Sequence, residues 1–164
     1  MKIRVGISAC LLGEPVRYDG GHKRNDTLIA AFADVVEWVP VCPESGCGLP
    51  VPREMMRLQG DPTEPRLVVI ETGLDQTDRL LAWAGKKLQE LADLGIRGFC
   101  FKARSPSCGV RDTNIFDDQG QIIFDCSSGL FARAFIDRFP HLPVEDEGRL
   151  QNQDSRDRFI RRIR

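Results

Sequence analysis

"GFCFKARSPSCG", residues 98–109, carries the reading of the whole chain. Its first part, Gly98 to Phe101, is an apolar run that reads as the end of a buried strand. Its second part sets a proline between two serines and a cysteine against a glycine. Proline removes a backbone donor, and glycine permits backbone angles that other residues avoid. The chain therefore leaves its core through a constrained turn with a thiol, Cys108, at its tip.

Working outward, the same arrangement recurs twice. Residues 2–8 read as a strand with Ile3, Val5 and Ile7 on one face, followed by Cys10 and the polar loop "LLGEPVRYDGGHKRND". "VVEWVPV", 35–41, alternates apolar residues and reads as a second strand. It runs into Cys42 and "CPESGCGLPVPRE", too rich in Pro and Gly for either regular element. "RLVVI", 66–70, is a third strand, 97–101 a fourth, and "LPVED" a short last one.

Helices are expected between these strands. Asp26 caps a short one through Phe32. Residues 75–94 carry a helical period, with Leu80, Leu81, Ala84, Leu88 and Leu91 on one face and Gly95 as the stop. Residues 127–139 form another, capped by Ser127 or Ser128. An amphipathic helix over about 154–164, capped by Asp154 or Ser155, ends the chain. Strands alternating with helices predict an α/β fold with a mainly parallel sheet and helices on both faces. The 164 residues fit one domain spanning 1–164.

In such sheets ligands sit beyond the carboxyl ends of the strands. Cys10, Cys42 and Cys108 all lie just past predicted strand ends, so three loops can bring three thiols together. Three thiolates suit a soft metal centre, zinc or an iron–sulfur cluster. The spacing is not that of a zinc ribbon, and neither His22 nor His141 falls in a ligand spacing. Cys100, inside an apolar strand, and Cys126 read as inert core. Glu44 of "CPE" is either a solvated surface residue or, facing the pocket, a desolvated group fit for proton transfer. Ser105 and Ser107 either satisfy turn backbone groups or point a hydroxyl at a substrate. "RYDGG" is turn chemistry in which Tyr18 can serve as a base-stacking platform.

The composition, 41% hydrophobic and 29% charged, is that of a soluble globular protein. Nothing approaches a membrane span. Arg4 interrupts what would be a signal-peptide core, so the protein is expected in the cytoplasm, where six cysteines stay reduced. A net charge of -1 gives no global pull towards nucleic acid. "SRDRFIRRIR", with five arginines and one acid, is a local basic patch. It is either a solvated helix or a contact for RNA.

Taken in order, "ISACLLG", "VRYDGG", "VCPE…GLPVPRE" and "KARSPSCG" resemble the thiouracil desulfidase, or TudS-like, family. The resemblance runs from residue 3 to about 110 and more weakly to Leu150. It implies a Rossmann-like domain holding a 4Fe–4S cluster by three cysteines, with one iron open to take sulfur from 2- or 4-thiouracil without net redox chemistry. By motif, the ligands are Cys10, Cys42 and Cys108, with Cys47 on the same loop as the substitute for Cys42. Glu44 falls on the acid/base position and Ser105 on the substrate-side hydroxyl. Ser107, Tyr18 and Asp19 are then substrate-side residues, and uracil and hydrosulfide are the products.

Beyond these motifs, "GLFARAF", "FPHLPVEDEGRL" and "RFIRRI" look like a subgroup that continues into a second helical domain associated with 2-thiouridine in transfer RNA. The chain ends at Arg164 without room for it, which makes the free base the expected substrate and tRNA the alternative. A different class, an iron–sulfur electron-transfer or redox protein, would consume no thiouracil. The oligomeric state is not legible.

Overall fold

The computed structural model describes all of residues 1–164. Its frame is a four-stranded parallel sheet in the order β2-β1-β5-β8. The strands are β1 (Ile3–Ser8), β2 (Val36–Val41), β5 (Phe99–Phe101) and β8 (Val144–Asp146). Val5 and Ile7 point to one face. There, with Cys100, they meet α1 (Asp26–Phe32) and α5 (Gln153–Ile163) through Leu28, Phe32, Phe159 and Ile163. Phe99 and Phe101 point to the other face. They stack on each other with ring centroids 4.0 Å apart and meet α3 (Thr77–Asp93) and α4 (Leu130–Arg138) through Leu80, Leu88, Phe131 and Phe135. Helices thus cover both faces, as the alternating pattern requires.

A second sheet completes the molecule; it takes in the strand expected at 66–70, which pairs antiparallel with its neighbour instead of joining the parallel sheet, and its other three strands were not expected. It runs β4-β3-β6-β7, with β3 (Met56–Gln59), β4 (Arg66–Val69), β6 (Thr113–Phe116) and β7 (Ile122–Ser127). Leu58, Leu67 and Ile115 are fully buried in the α3/α4 core, so this sheet walls that face of the domain. Its strands are short, and Ile122 to Cys126 are exposed on both faces of β7, so no apolar alternation marks it. The hairpin signal was the turn "DDQG": Gly120 has φ +79, and Asp117 and Gln121 pair across it.

Other local expectations shift for identifiable reasons. The carboxyl that was to cap α1 lies one residue too late: Asn25 accepts from the Leu28 N–H, and Asp26 instead pairs with Arg24. Asn152, not Asp154 or Ser155, caps α5 by accepting from the Ser155 N–H. Leu81 is exposed because 80, 84, 88 and 91 already fill the inward stripe of α3. Gly95, with φ +71, follows the helix end as expected. "PESG" folds as a four-residue helix, α2 (Pro43–Gly46), because proline is tolerated at a first helical position. Cys126 is exposed on β7 and is no part of the core.

Candidate active site

The parallel sheet reverses its build direction between β1 and β5, and a crevice opens at the carboxyl ends of those strands. The cavity there has a volume of about 400 Å³. Cys10, Cys42 and Cys108, two, one and seven residues beyond their strands, all line it. Each is delivered differently. Cys10 sits in the 3-10 turn Ala9–Leu12 that follows β1. Cys42 is the N-cap of α2. Cys108 is held by the turn over residues 105–109 that follows β5.

That turn is braced on every side. Ser105 Oγ accepts from the N–H groups of Ser107 and Cys108 at 3.2 and 3.1 Å. The Ser105 carbonyl accepts from the Gly109 N–H and the Thr113 hydroxyl. The carbonyls of Gly109, Pro106 and Ser107 accept from the N–H groups of Gly129, Leu130, Phe131 and Ala132 at 2.8–3.0 Å. The turn therefore caps α4. This is why neither Ser127 nor Ser128 does so, and why residue 129 is glycine: a Cβ there would run into the backbone of Ser107 and Cys108.

Glu44 reaches the same place from α2. The buried hydroxyl of Ser107 donates to its Oε1 at 2.5 Å, and its Oε2 lies 3.8 Å from the Cys42 sulfur. Ser105 Oγ is 3.0 Å from Ser107 Oγ. Since the Ser107 proton goes to the carboxylate, Ser105 is the donor to Ser107, and the two hydroxyls form a chain from the cavity wall to Glu44. Ser105, Tyr18 and Glu44 line the cavity. Ser107 is fully buried behind it. Asp19 is exposed outside the lining, its carboxylate closing the loop by accepting from the Gly21 N–H. Cys47 also lies outside the lining, its thiol directed at the Glu44 carbonyl 3.3 Å away.

The sequence reading missed the cations. Arg17, Arg53, Lys102 and Arg104 line the cavity against two carboxylates, Glu44 and Glu54. Lys102 follows β5 directly and pairs with Glu147 at 2.8 Å. Arg53 donates to the carbonyls of Val16 and Pro50, tying two loops of the wall together. A cation directly after a buried strand was the available signal for Lys102. Arg53 lies in the quoted "GLPVPRE" motif, but its reach to Val16, 37 residues away, was not legible.

The donor set fits an iron–sulfur cluster. Burial pushes the Cys10 thiol up to about 11, opposed by Arg17 and Lys102. Burial raises Cys42 and Cys108 too, with Glu44 adding to both. Desolvated thiols of this kind ionise when a metal neutralises them. The buried Ser45 hydroxyl has no protein hydrogen-bond partner, and Ser45 acts against the rise at Cys42, so a donor is in place for a thiolate there. No three His, Cys, Asp or Glu side chains converge closely enough to hold a single metal ion. Three soft donors spread around a roomy, cation-rich cavity suit a polynuclear cluster instead.

Comparison with known proteins identifies the family. A search of curated proteins returns no match. Among solved structures, the [4Fe-4S]-dependent thiouracil desulfidase TudS is similar at 33% identity and a TM-score of 0.69, covering 92% of this chain and 94% of that one. The family description "2-thiouracil desulfurase" matches residues 5–147, from β1 through β8 and therefore across all three cysteine loops. The chain belongs to the 2-thiouracil desulfurase family.

Proposed function

We propose that this protein is an iron–sulfur-dependent desulfidase that hydrolyses the carbon–sulfur bond of 2- or 4-thiouracil to give uracil and hydrosulfide. The observation that carries the reading is the meeting of Cys10, Cys42 and Cys108 in one cavity with a braced carboxylate, Glu44, in a chain of this family. Those three cysteines would hold a 4Fe–4S cluster, three ligands for its four irons. When bound, the cluster supplies a soft Lewis acid for the sulfur of the substrate.

The other work falls to residues of the chain. Glu44 Oε1 is occupied by the Ser107 hydroxyl, so Oε2, which lies 3.8 Å from the Cys42 sulfur, is the oxygen left for proton transfer. It takes a proton from the water that adds to the thiolated carbon and passes it to the sulfur as the carbon–sulfur bond breaks, so that hydrosulfide leaves and the second water proton goes to solvent. Ser105 and Ser107 hold the carboxylate in one orientation, which positions it before the reaction rather than during it. Tyr18 offers a ring face to the base.

The test is turnover by the protein reconstituted with iron and sulfide under anaerobic conditions. It should consume 4-thiouracil, followed by loss of its near-ultraviolet absorbance, and release one hydrosulfide per uracil. A fully loaded protein that leaves both thiouracils intact would overturn the reading and point to electron transfer.

A further inference from the structure

A second cavity, of about 250 Å³, lies apart from the cysteine cavity and shares no lining residue with it. Four segments distant in sequence build it. Val110 and Arg111 come from the loop after Cys108. Ile136 and Phe139 come from the end of α4 and the residue that follows it. Glu145 and Arg149 come from β8 and the turn behind it, and Arg162 from α5.

Its charge is one-sided: three arginines face one carboxylate. Elsewhere in the fold, arginines that bridge segments use their guanidinium groups on the protein. Arg133 donates to the Pro62 and Thr63 carbonyls, Arg156 to those of Leu150 and Gln151, and Arg97 to that of Ile163. The three pocket arginines do not. Their hydrogen bonds are made by backbone groups alone, such as the N–H groups of Arg111 and Arg149, which donate to Ser128 Oγ and Asp146 Oδ1. None of the three belongs to an ion pair. Arg111 has a left-handed backbone, φ +57, unfavourable for a side chain of its size. Arg138 adds a fourth cation nearby, lying over the Phe139 ring at 5.0 Å.

Scattered exposed arginines are ordinary, and a lone one means nothing. Three from three elements around one concavity leave positive charge that the single carboxylate, Glu145, does not balance. The guanidinium fork matches the oxygens of a phosphate, and donors from several directions suit a tetrahedral group. The remaining wall, Val110, Ile136, Phe139, Leu142 and Val144, is apolar. An inorganic ion would leave that wall unused, whereas an organic phosphate covers it. We propose that this pocket is a binding site for a small phosphate monoester, with its phosphate on Arg111, Arg149 and Arg162 and its organic body on the apolar wall.

Isothermal titration of the whole chain at fixed ionic strength tests this, with phenyl phosphate, inorganic phosphate and phenol as probes. Phenyl phosphate should bind saturably at one site and more tightly than inorganic phosphate, and phenol should not bind detectably. Arg149→Gln and Arg162→Gln should each weaken phenyl phosphate about tenfold, the scale of one charge-assisted contact. Both side chains are exposed, so melting temperature and thiouracil turnover should not change. As a control, Arg57→Gln, far from the pocket lining, should bind like the unaltered protein. Absence of saturable binding, or equal affinity in the two pocket variants, overturns the proposal. So does a short single-stranded oligonucleotide that binds through the same arginines far more tightly than phenyl phosphate, since that assigns the face to nucleic acid.

Discussion

Strand β5 and the turn after it each contain a cysteine, eight residues apart, and burial does not tell the two apart. Cys100 is 0% exposed and Cys108 4%. Burial raises both thiols. The difference lies in what surrounds them. Cys100 packs in an apolar cluster with Val5, Ile7, Leu28 and Phe159 on one face of the sheet and lines no cavity of the site. Cys108 stands past the strand end, beside the hydroxyl of Ser107 and at the wall of a cavity shared with Cys10, Cys42 and Glu44. A thiol in mid-strand is committed to a packed layer. A thiol in a loop at the carboxyl edge of a parallel sheet can face the crevice that such sheets leave open.

The sharpest way to break this contrast is to remove the thiols one at a time. Cys10→Ala, Cys42→Ala and Cys108→Ala should each abolish iron binding and turnover. Measured iron and acid-labile sulfide should drop from about four of each per chain, the load of one cubane, to near zero. Cys47→Ala should retain both, because its thiol lies outside the cavity lining. If Cys47→Ala empties the site and Cys42→Ala does not, α2 has been assigned the wrong ligand.

Next in size is the carboxylate. Glu44→Gln should keep the iron load while turnover falls by roughly a hundredfold to ten-thousandfold, the usual worth of a general acid/base group. Glu44→Asp should recover little, since it withdraws the carboxylate from the Ser107 hydroxyl that orients it. Iron loss in Glu44→Gln would make the residue structural.

A smaller effect is expected behind Glu44. Ser107→Ala removes the 2.5 Å hydrogen bond to Oε1 without touching the cavity wall. A hydrogen bond to a charged group contributes about 1.5–3 kcal/mol, so kcat should fall roughly tenfold to hundredfold. Its KM and iron content should stay near those of the unaltered protein. A rise in KM with unchanged kcat would instead make Ser107 a substrate contact.

The smallest effect belongs to the strand. Cys100→Ala should keep iron and turnover and lower stability by about 1 kcal/mol, the scale of a small truncation in a packed core. Denaturant midpoints with parallel iron assays check it. Iron loss there would erase the distinction between the two cysteines.

The order of strands and helices was legible because the parallel strands are apolar and their covering helices are amphipathic, which are local patterns. The three cysteines and Glu44 were legible because each follows a readable strand within a few residues and lies in a recognisable motif. The second sheet was legible only at 66–70; its other strands were not, because they are short and β7 is exposed on both faces, so no periodicity distinguishes them from loop. The roles of Ser105 and Ser107 were not separable either. They differ by two residues in sequence, yet one lines the cavity and the other lies buried behind Glu44.

By itself, the sequence determined an α/β chain with a parallel sheet, thiols beyond three of its strand ends and a carboxylate beside one of them. These follow from apolar periodicity and from where proline and glycine interrupt it. Only the tertiary structure decided which thiol of the "CPESGC" segment enters the cavity, which hydroxyl orients Glu44, and that the "SPSCG" carbonyls cap α4 in place of a side chain. Each of these depends on groups far apart in the chain meeting at hydrogen-bond distance, 63 residues apart for Ser107 and Glu44, and such meetings are set by how layers pack rather than by local pattern.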